Sequence, residues 1–190
     1  MIAIAAWLAV VLSGMVAVWR YKLTPTAPHE PPERWPTSSL VAPAPGGATL
    51  VMVAHPKCSC TRASLAELSR LMTDVHGRAT AHVLFVKPAG VPAGWEATDT
   101  MRMAAAIPGV AVHVDDDGVE ARRFGATVSG YMLAYDASGR LIFHGGITGA
   151  RGHEGDNAGR RRLVALLTSG TADRTDSPTF GCGLEGAEER

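Results

Sequence analysis

The chain has 190 residues, with 18 basic and 18 acidic side chains, so its formal charge is zero. That length holds one ordinary domain with a real core plus appendages, and the even charge argues against a nucleic-acid binder, which carries a basic excess. Three cysteines are too few for a disulfide scaffold, and the odd count leaves one thiol free if two are bridged.

Ile2 to Trp19 is almost wholly apolar, interrupted only by Ser13 and Gly14. As a helix at about 1.5 Å per residue it reaches roughly 27 Å, enough to cross a bilayer. Arg20 and Lys22 then mark an interface, with Trp19 and Tyr21 as aromatic anchors. The segment has neither the basic start nor the small-residue exit of a cleaved signal peptide, so residues 1–22 read as a retained transmembrane anchor. Residues 23–47 contain Pro25, Pro28, Pro31, Pro32, Pro36, Pro43 and Pro45, and end at Gly46-Gly47. Such a stretch lacks donors and apolar periodicity, which predicts an extended proline-rich linker between membrane and domain.

A compact domain is predicted over residues 48–169. Ala48 to Ala54 reads as a buried strand. Thr61 to Val75 places Leu65, Leu68, Leu71, Met72 and Val75 on one helical face, and Gly77 stops it. Thr80 to Val86 is a second strand, Trp95 to Ala106 a weaker helix, and Val110 to Val114 a third strand. Asp115-Asp116-Asp117-Gly118 lacks the alternate ligand spacing of a calcium loop and reads as a turn before one or two helical turns at Glu120 to Phe124. Tyr131 to Tyr135 and Leu141 to His144 flank a glycine-containing loop as a hairpin, and Asn157 to Leu167 supplies the last helix, capped by Asp156 or Asn157. This is an α/β pattern, a mixed sheet flanked by helices on both faces. Residues 170–190 form a polar tail that carries Cys182 between Gly181 and Gly183.

The chemistry concentrates where the first strand ends. His55-Pro56-Lys57-Cys58-Ser59-Cys60-Thr61-Arg62 presents two of the three cysteines at a strand-to-helix junction. Backbone N–H groups point outward at a helix start, and the helix dipole favours a thiolate there. A thiolate attacks a disulfide, reduces a peroxide or holds a soft metal. The glycine-rich run from Gly145 to Asn157 lacks a phosphate-loop lysine, which argues against a nucleotide site.

The order of elements, with a cysteine pair after the first strand, resembles the thioredoxin-like superfamily over about residues 48–169. More narrowly, His55 to Leu65 together with Phe180-Gly181-Cys182 resembles membrane-linked bacterial RedB proteins. The superfamily resemblance implies that Cys58 is the attacking thiolate and Cys60 its dithiol partner, with no cofactor. Two departures stand out. One residue, Ser59, separates the cysteines where the superfamily has two, and Gly130 stands where it has a cis-proline. A cis bond before glycine costs several kcal/mol, so a trans bond and a more open substrate groove are expected. Residues two apart do not face each other on a helix, so a Cys58–Cys60 bridge is expected to be strained and oxidising. Cys182 offers a second route to resolution.

The leading expectation is a membrane-anchored thiol–disulfide oxidoreductase acting on protein or small-molecule disulfides. His55, Arg151 and His153 are candidate stabilisers or ligands at the rim, Arg62 a candidate anion partner, and Thr61 a local cap. The alternative is a copper(I) or zinc binding and delivery module built on Cys58, Cys60 and Cys182, and an open groove at Gly130 leaves peroxide reduction as a third. The resemblance implies a single-pass protein of the bacterial inner membrane with its domain facing the periplasm, whereas the basic residues after the span alone favour the cytoplasm.

Overall fold

A computed structural model describes residues 2–26 and 30–184; Pro28 and the tail beyond Leu184 lie outside them. Helix α1 (Ile2–Leu23) is long and apolar enough to cross a membrane, and none of its residues is buried. The domain follows as β1 (Ala48–Ala54), α2 (Ser59–Asp74), β2 (Ala79–Lys87), α3 (Asp99–Ala105), β3 (Val110–Asp116), α4 (Val119–Arg123), β4 (Tyr131–Tyr135), β5 (Leu141–Gly146), α5 (Ala158–Ser169) and β6 (Asp176–Ser177). Six strands form one sheet in the order β3-β2-β1-β4-β5-β6. The βαβ units make β1, β2 and β3 parallel, and the hairpin makes β4 antiparallel to β1 and to β5.

The central strands β1 and β4 bury both faces, which is why they read as unbroken apolar runs rather than alternations. On one face Leu50, Met52 and Ala54 meet Leu65, Leu68 and Leu71 of α2 and Leu163 of α5. On the other, Val51 and Val53 meet Phe124, Tyr131, Leu133 and Tyr135. Each such side chain contributes about 1.5–3 kcal/mol when withdrawn from water. Asn157 accepts from the Arg160 N–H and caps α5, as its position predicts, while the Asp115 carboxylate accepts from Glu120 and Ala121 at the start of α4. The three arginines opening α5 are paired rather than merely solvated: Arg160 with Glu67 and Asp74, Arg161 with Asp156, Arg162 with Asp173.

The proline-rich segment corrects the expectation of a free tether. From Glu30 onward it lies on the domain as a strap. The Trp35 N–H donates to Gly139 O at 2.7 Å, its indole donates to Val41 O, and Glu33 O accepts from Leu141 N at 2.8 Å. The Trp35 ring meets Phe124 and Tyr135 edge-on at 5.1 and 5.2 Å, and Val41 is buried. The physical reason is the shortness of α4: five residues leave most of that sheet face to be covered by something else. Proline keeps the strap out of helix and ladder, and its few remaining donors bond to the domain.

The tail also folds back. It runs beside β5 as β6, then bridges Thr26 at Thr179 and Val128 at Gly183.

Candidate functional site: a three-thiol cluster at the start of α2

Strand β1 carries the chain out of the sheet between its two neighbours, and His55-Pro56-Lys57 turns it into α2. Cys58 is the N-cap residue, with φ −84° and ψ 127°, and its carbonyl already accepts from Thr61 N at 3.1 Å. Cys60 sits in the first turn. Cys182 arrives from the folded-back tail with its Sγ 3.2 Å from that of Cys58. The three sulfurs lie within 4.8 Å of one another, and all three cysteines are free thiols.

The electrostatics separate the three. The Cys60 thiol, donating to Cys58, holds the Cys58 pKa far below the ordinary thiol range, to about 4. Burial opposes this, and the Cys182 thiol with the backbone N–H groups of Cys60 and Thr61 adds to it. Cys60 moves the other way, because its proton is held by Cys58 and it is buried. Burial pushes Cys182 up, and the neighbouring Cys58 pushes it further. One thiolate is thus held between two protonated donors at a helix start.

The surroundings fix this turn. The Thr61 hydroxyl bonds to His55 O and to Ser129 Oγ, each at 2.9 Å, so it staples the turn to the connection between α4 and β4 rather than accepting from a helical N–H. Ser129 Oγ also accepts from His55 N at 3.0 Å. Burial lowers the His55 pKa, although Cys58 pulls the other way, and its Nδ1 accepts from Lys57 N. Trp95 closes the rim, edge-on to His55 at 5.4 Å and beneath the Lys57 ammonium at 4.4 Å.

The remaining expected residues divide. Arg151 reaches the cluster indirectly, through the Gly181 carbonyl. Arg62 instead pairs with Asp99 at the start of α3, and both are half-exposed. His153 is exposed and is not among the groups that converge on the sulfurs. Gly130 has φ +83°, and a Cβ there would stand 2.6 Å from Ser64 Oγ, so a side chain is excluded by backbone and by space. The peptide bonds among the described residues are all trans.

Where an open groove was expected, the tail lies against residues 127–129, directly before Gly130. Ser129 N donates to Cys182 O and Leu184 N to Thr127 O, each at 2.9 Å, so the tail meets residues 127–129 in an isolated antiparallel bridge, Val128 opposite Gly183. A Cβ on Gly181 would overlap the Ser129 carbonyl, so only glycine permits this approach. With the tail in place Cys58 is 9% and Cys60 7% exposed.

Ser129, Ser64, Trp95 and Thr26 shape the site without having been singled out from sequence. Glu67 is another: fully buried, it accepts from Gly155 N and Asn157 Nδ2 and pairs with Arg160, tying α2 to the connection before α5.

No protein-family model matches the chain, and no curated protein matches it. Among solved structures, the chain is similar to the hypothetical protein SMc02350 from Sinorhizobium meliloti 1021 at 19% identity and a TM-score of 0.61, over 88% of this chain and 98% of that one. It is also similar to an uncharacterized conserved protein from Geobacillus kaustophilus, at 14% identity and a TM-score of 0.60, over 88% and 95%. The MTB dsbF structure, in mixed oxidized and reduced forms, aligns at 14% identity and a TM-score of 0.47, over 67% and 83%. The β1-α2-β2 unit, the β4–β5 hairpin, the closing α5 and the strand order β2-β1-β4-β5 make this a thioredoxin-like fold, with a three-thiol cluster where its first strand meets its first domain helix.

Proposed function

We propose that the chain is a thiol–disulfide oxidoreductase, anchored by α1 in a bacterial inner membrane with its domain on the periplasmic side, acting on protein or small-molecule disulfides. The observation that carries this is the meeting of three sulfurs at the start of α2, all within 4.8 Å of one another, with Cys58 Sγ 3.2 Å from Cys182 Sγ.

The Cys58 thiolate attacks one sulfur of a substrate disulfide. A Cys58–substrate bond forms, the substrate S–S bond breaks, and the other sulfur leaves as a thiolate that takes up a proton. Cys58 then no longer carries charge. The influence that Cys58 exerted on Cys182 goes with it, and the Cys182 proton is easier to lose at the moment a second nucleophile is needed. The Cys182 sulfur attacks Cys58 Sγ, the Cys58–Cys182 bond forms, and the second substrate sulfur leaves and is protonated. Two electrons and two protons have passed to the substrate, and an external dithiol returns them. Cys182 suits this step better than Cys60 because its sulfur lies 3.2 Å from Cys58 and comes from a separate segment, whereas a bridge to Cys60 must close a tight ring between residues two apart in sequence.

The test is a trapping experiment. Cys182→Ser protein mixed with glutathione disulfide should accumulate an adduct on Cys58, seen by peptide mass spectrometry, while the parent chain proceeds to a Cys58–Cys182 bridge. Absence of any Cys58 adduct in both proteins refutes the proposal.

A second reading, copper(I) binding, is favoured by the same three sulfurs. Three thiols suit copper(I), while zinc asks for a fourth ligand, and His55 Nδ1 is already engaged by Lys57 N. Anaerobic titration with copper(I) should give one ion per chain, reduced in Cys182→Ser. Substoichiometric uptake under reducing conditions excludes it.

A further inference from the structure

The last carbonyls of a helix have no partner within it. At the end of α1 one side chain from the far side of the domain supplies several of those partners. Arg151 donates from its backbone N–H to Lys22 O at 3.1 Å, from Nε to Tyr21 O at 3.1 Å, and from Nη2 to Thr24 O at 3.4 Å and Thr26 Oγ1 at 2.7 Å. Its guanidinium lies 4.8 Å from the centre of the Tyr21 ring. The remaining arm, Nη1, donates to Gly181 O, the carbonyl directly before Cys182. Thr26 doubles that grip: its hydroxyl donates to Gly181 O at 2.9 Å, and its N–H to Thr179 O at 2.9 Å.

Resting on the dithiol reading above, we infer that Arg151 is a positioning residue that seats the Cys182 thiol against Cys58 for as long as the end of α1 is docked on the domain. One planar fork joins the α1 terminus to the tail, so the resolving sulfur and the membrane-side helix share a single support. Undocking the helix end removes the carbonyls that orient the guanidinium and loosens Gly181. The tail then keeps its bonds at Ser129 N, Thr127 O and β6 and the buried Leu184 side chain, while the stretch carrying Cys182 loosens and the thiolate beneath it is uncovered. Docked, the protein closes its own disulfide; undocked, it presents Cys58 to a partner. A lysine supplies charge from one nitrogen and cannot bridge Tyr21 O and Gly181 O in the same plane.

The full chain in lipid nanodiscs is reduced and treated with one equivalent of glutathione disulfide, and the products are partitioned by peptide mapping. The parent chain is expected to give mainly the Cys58–Cys182 bridge. Arg151→Lys and Arg151→Ala should both accumulate the Cys58–glutathione adduct and a Cys58–Cys60 bridge. Their resolution step should slow about tenfold or more, as a small misplacement of a reacting atom does, while the rate of adduct formation holds or rises. Thr26→Val and Tyr21→Ala should move the partition the same way by less. Restoration by Arg151→Lys would mean that charge alone matters and would overturn the inference, as would a parent-like partition in all four variants. A parent chain that yields neither a Cys58–glutathione adduct nor a Cys58–Cys182 bridge overturns the oxidoreductase reading and the inference with it.

Discussion

Replacing Cys60 with alanine removes the donor that contributes most to the Cys58 thiolate and leaves the Cys182 thiol and two backbone N–H groups in place. A hydrogen bond to a charged group is worth about 1.5–3 kcal/mol, and about 1.4 kcal/mol is one pKa unit, so the Cys58 pKa should rise by about 1–2 units. The assay is the pH dependence of Cys58 alkylation by a small haloacetamide, read by peptide mass spectrometry and checked against thiolate absorbance. The parent chain should alkylate at a rate almost independent of pH from neutrality down to the acid range, falling only as pH approaches 4. The variant should lose reactivity earlier on the way down. The same depression has a stability counterpart. The unfolded thiol has the higher pKa, so the stabilisation is complete above the ordinary thiol range and is lost as pH falls through the folded value. A parent midpoint near that of a free thiol, or a Cys60→Ala midpoint identical to the parent, refutes the thiolate account.

Gly130→Ala must hold φ +83° and push Ser64 Oγ aside, so it should destabilise the domain by about 1–3 kcal/mol in urea. Adding Ser64→Ala should recover the steric part and leave the backbone part; full recovery, or no loss at all, contradicts the geometry. Trp35→Ala strips the strap from Phe124 and Tyr135 and should cost about 2–4 kcal/mol by chemical denaturation, whereas a free linker would show no change.

The strands and the hairpin were legible because their burial is repetitive. The apolar run Ala48 to Ala54 marks β1 at both ends, and Tyr131 to Tyr135 marks β4. The paired cysteines were legible for a different reason, since Cys58 and Cys60 stand at a junction that the chain's own periodicity locates. The strap and tail were not, because backbone groups and single side chains hold them. A lone tryptophan among prolines was the one sign that residues 30–47 pack, and glycines on both sides of Cys182 the one sign of a tight seat. Glu67 left a trace that periodicity alone reveals: with Ser64, Leu68 and Leu71 it falls on the inward stripe of α2, where a carboxylate must have partners. The contacts of Arg151 with Tyr21 and Thr26 join residues more than a hundred positions apart, and no local pattern encodes them.

The packing of the strap sets the protein's range of action. Even with the grip of Arg151 and Thr179 on the end of α1 released, only residues 24–29 separate that helix from the strap, a span of at most about 20 Å at full stretch. With α1 in a bilayer, the sulfurs patrol a thin layer above the headgroups. Encounters with other bilayer-held proteins then become a planar search at raised local concentration, and solutes deeper in the aqueous compartment have to diffuse to the surface to react.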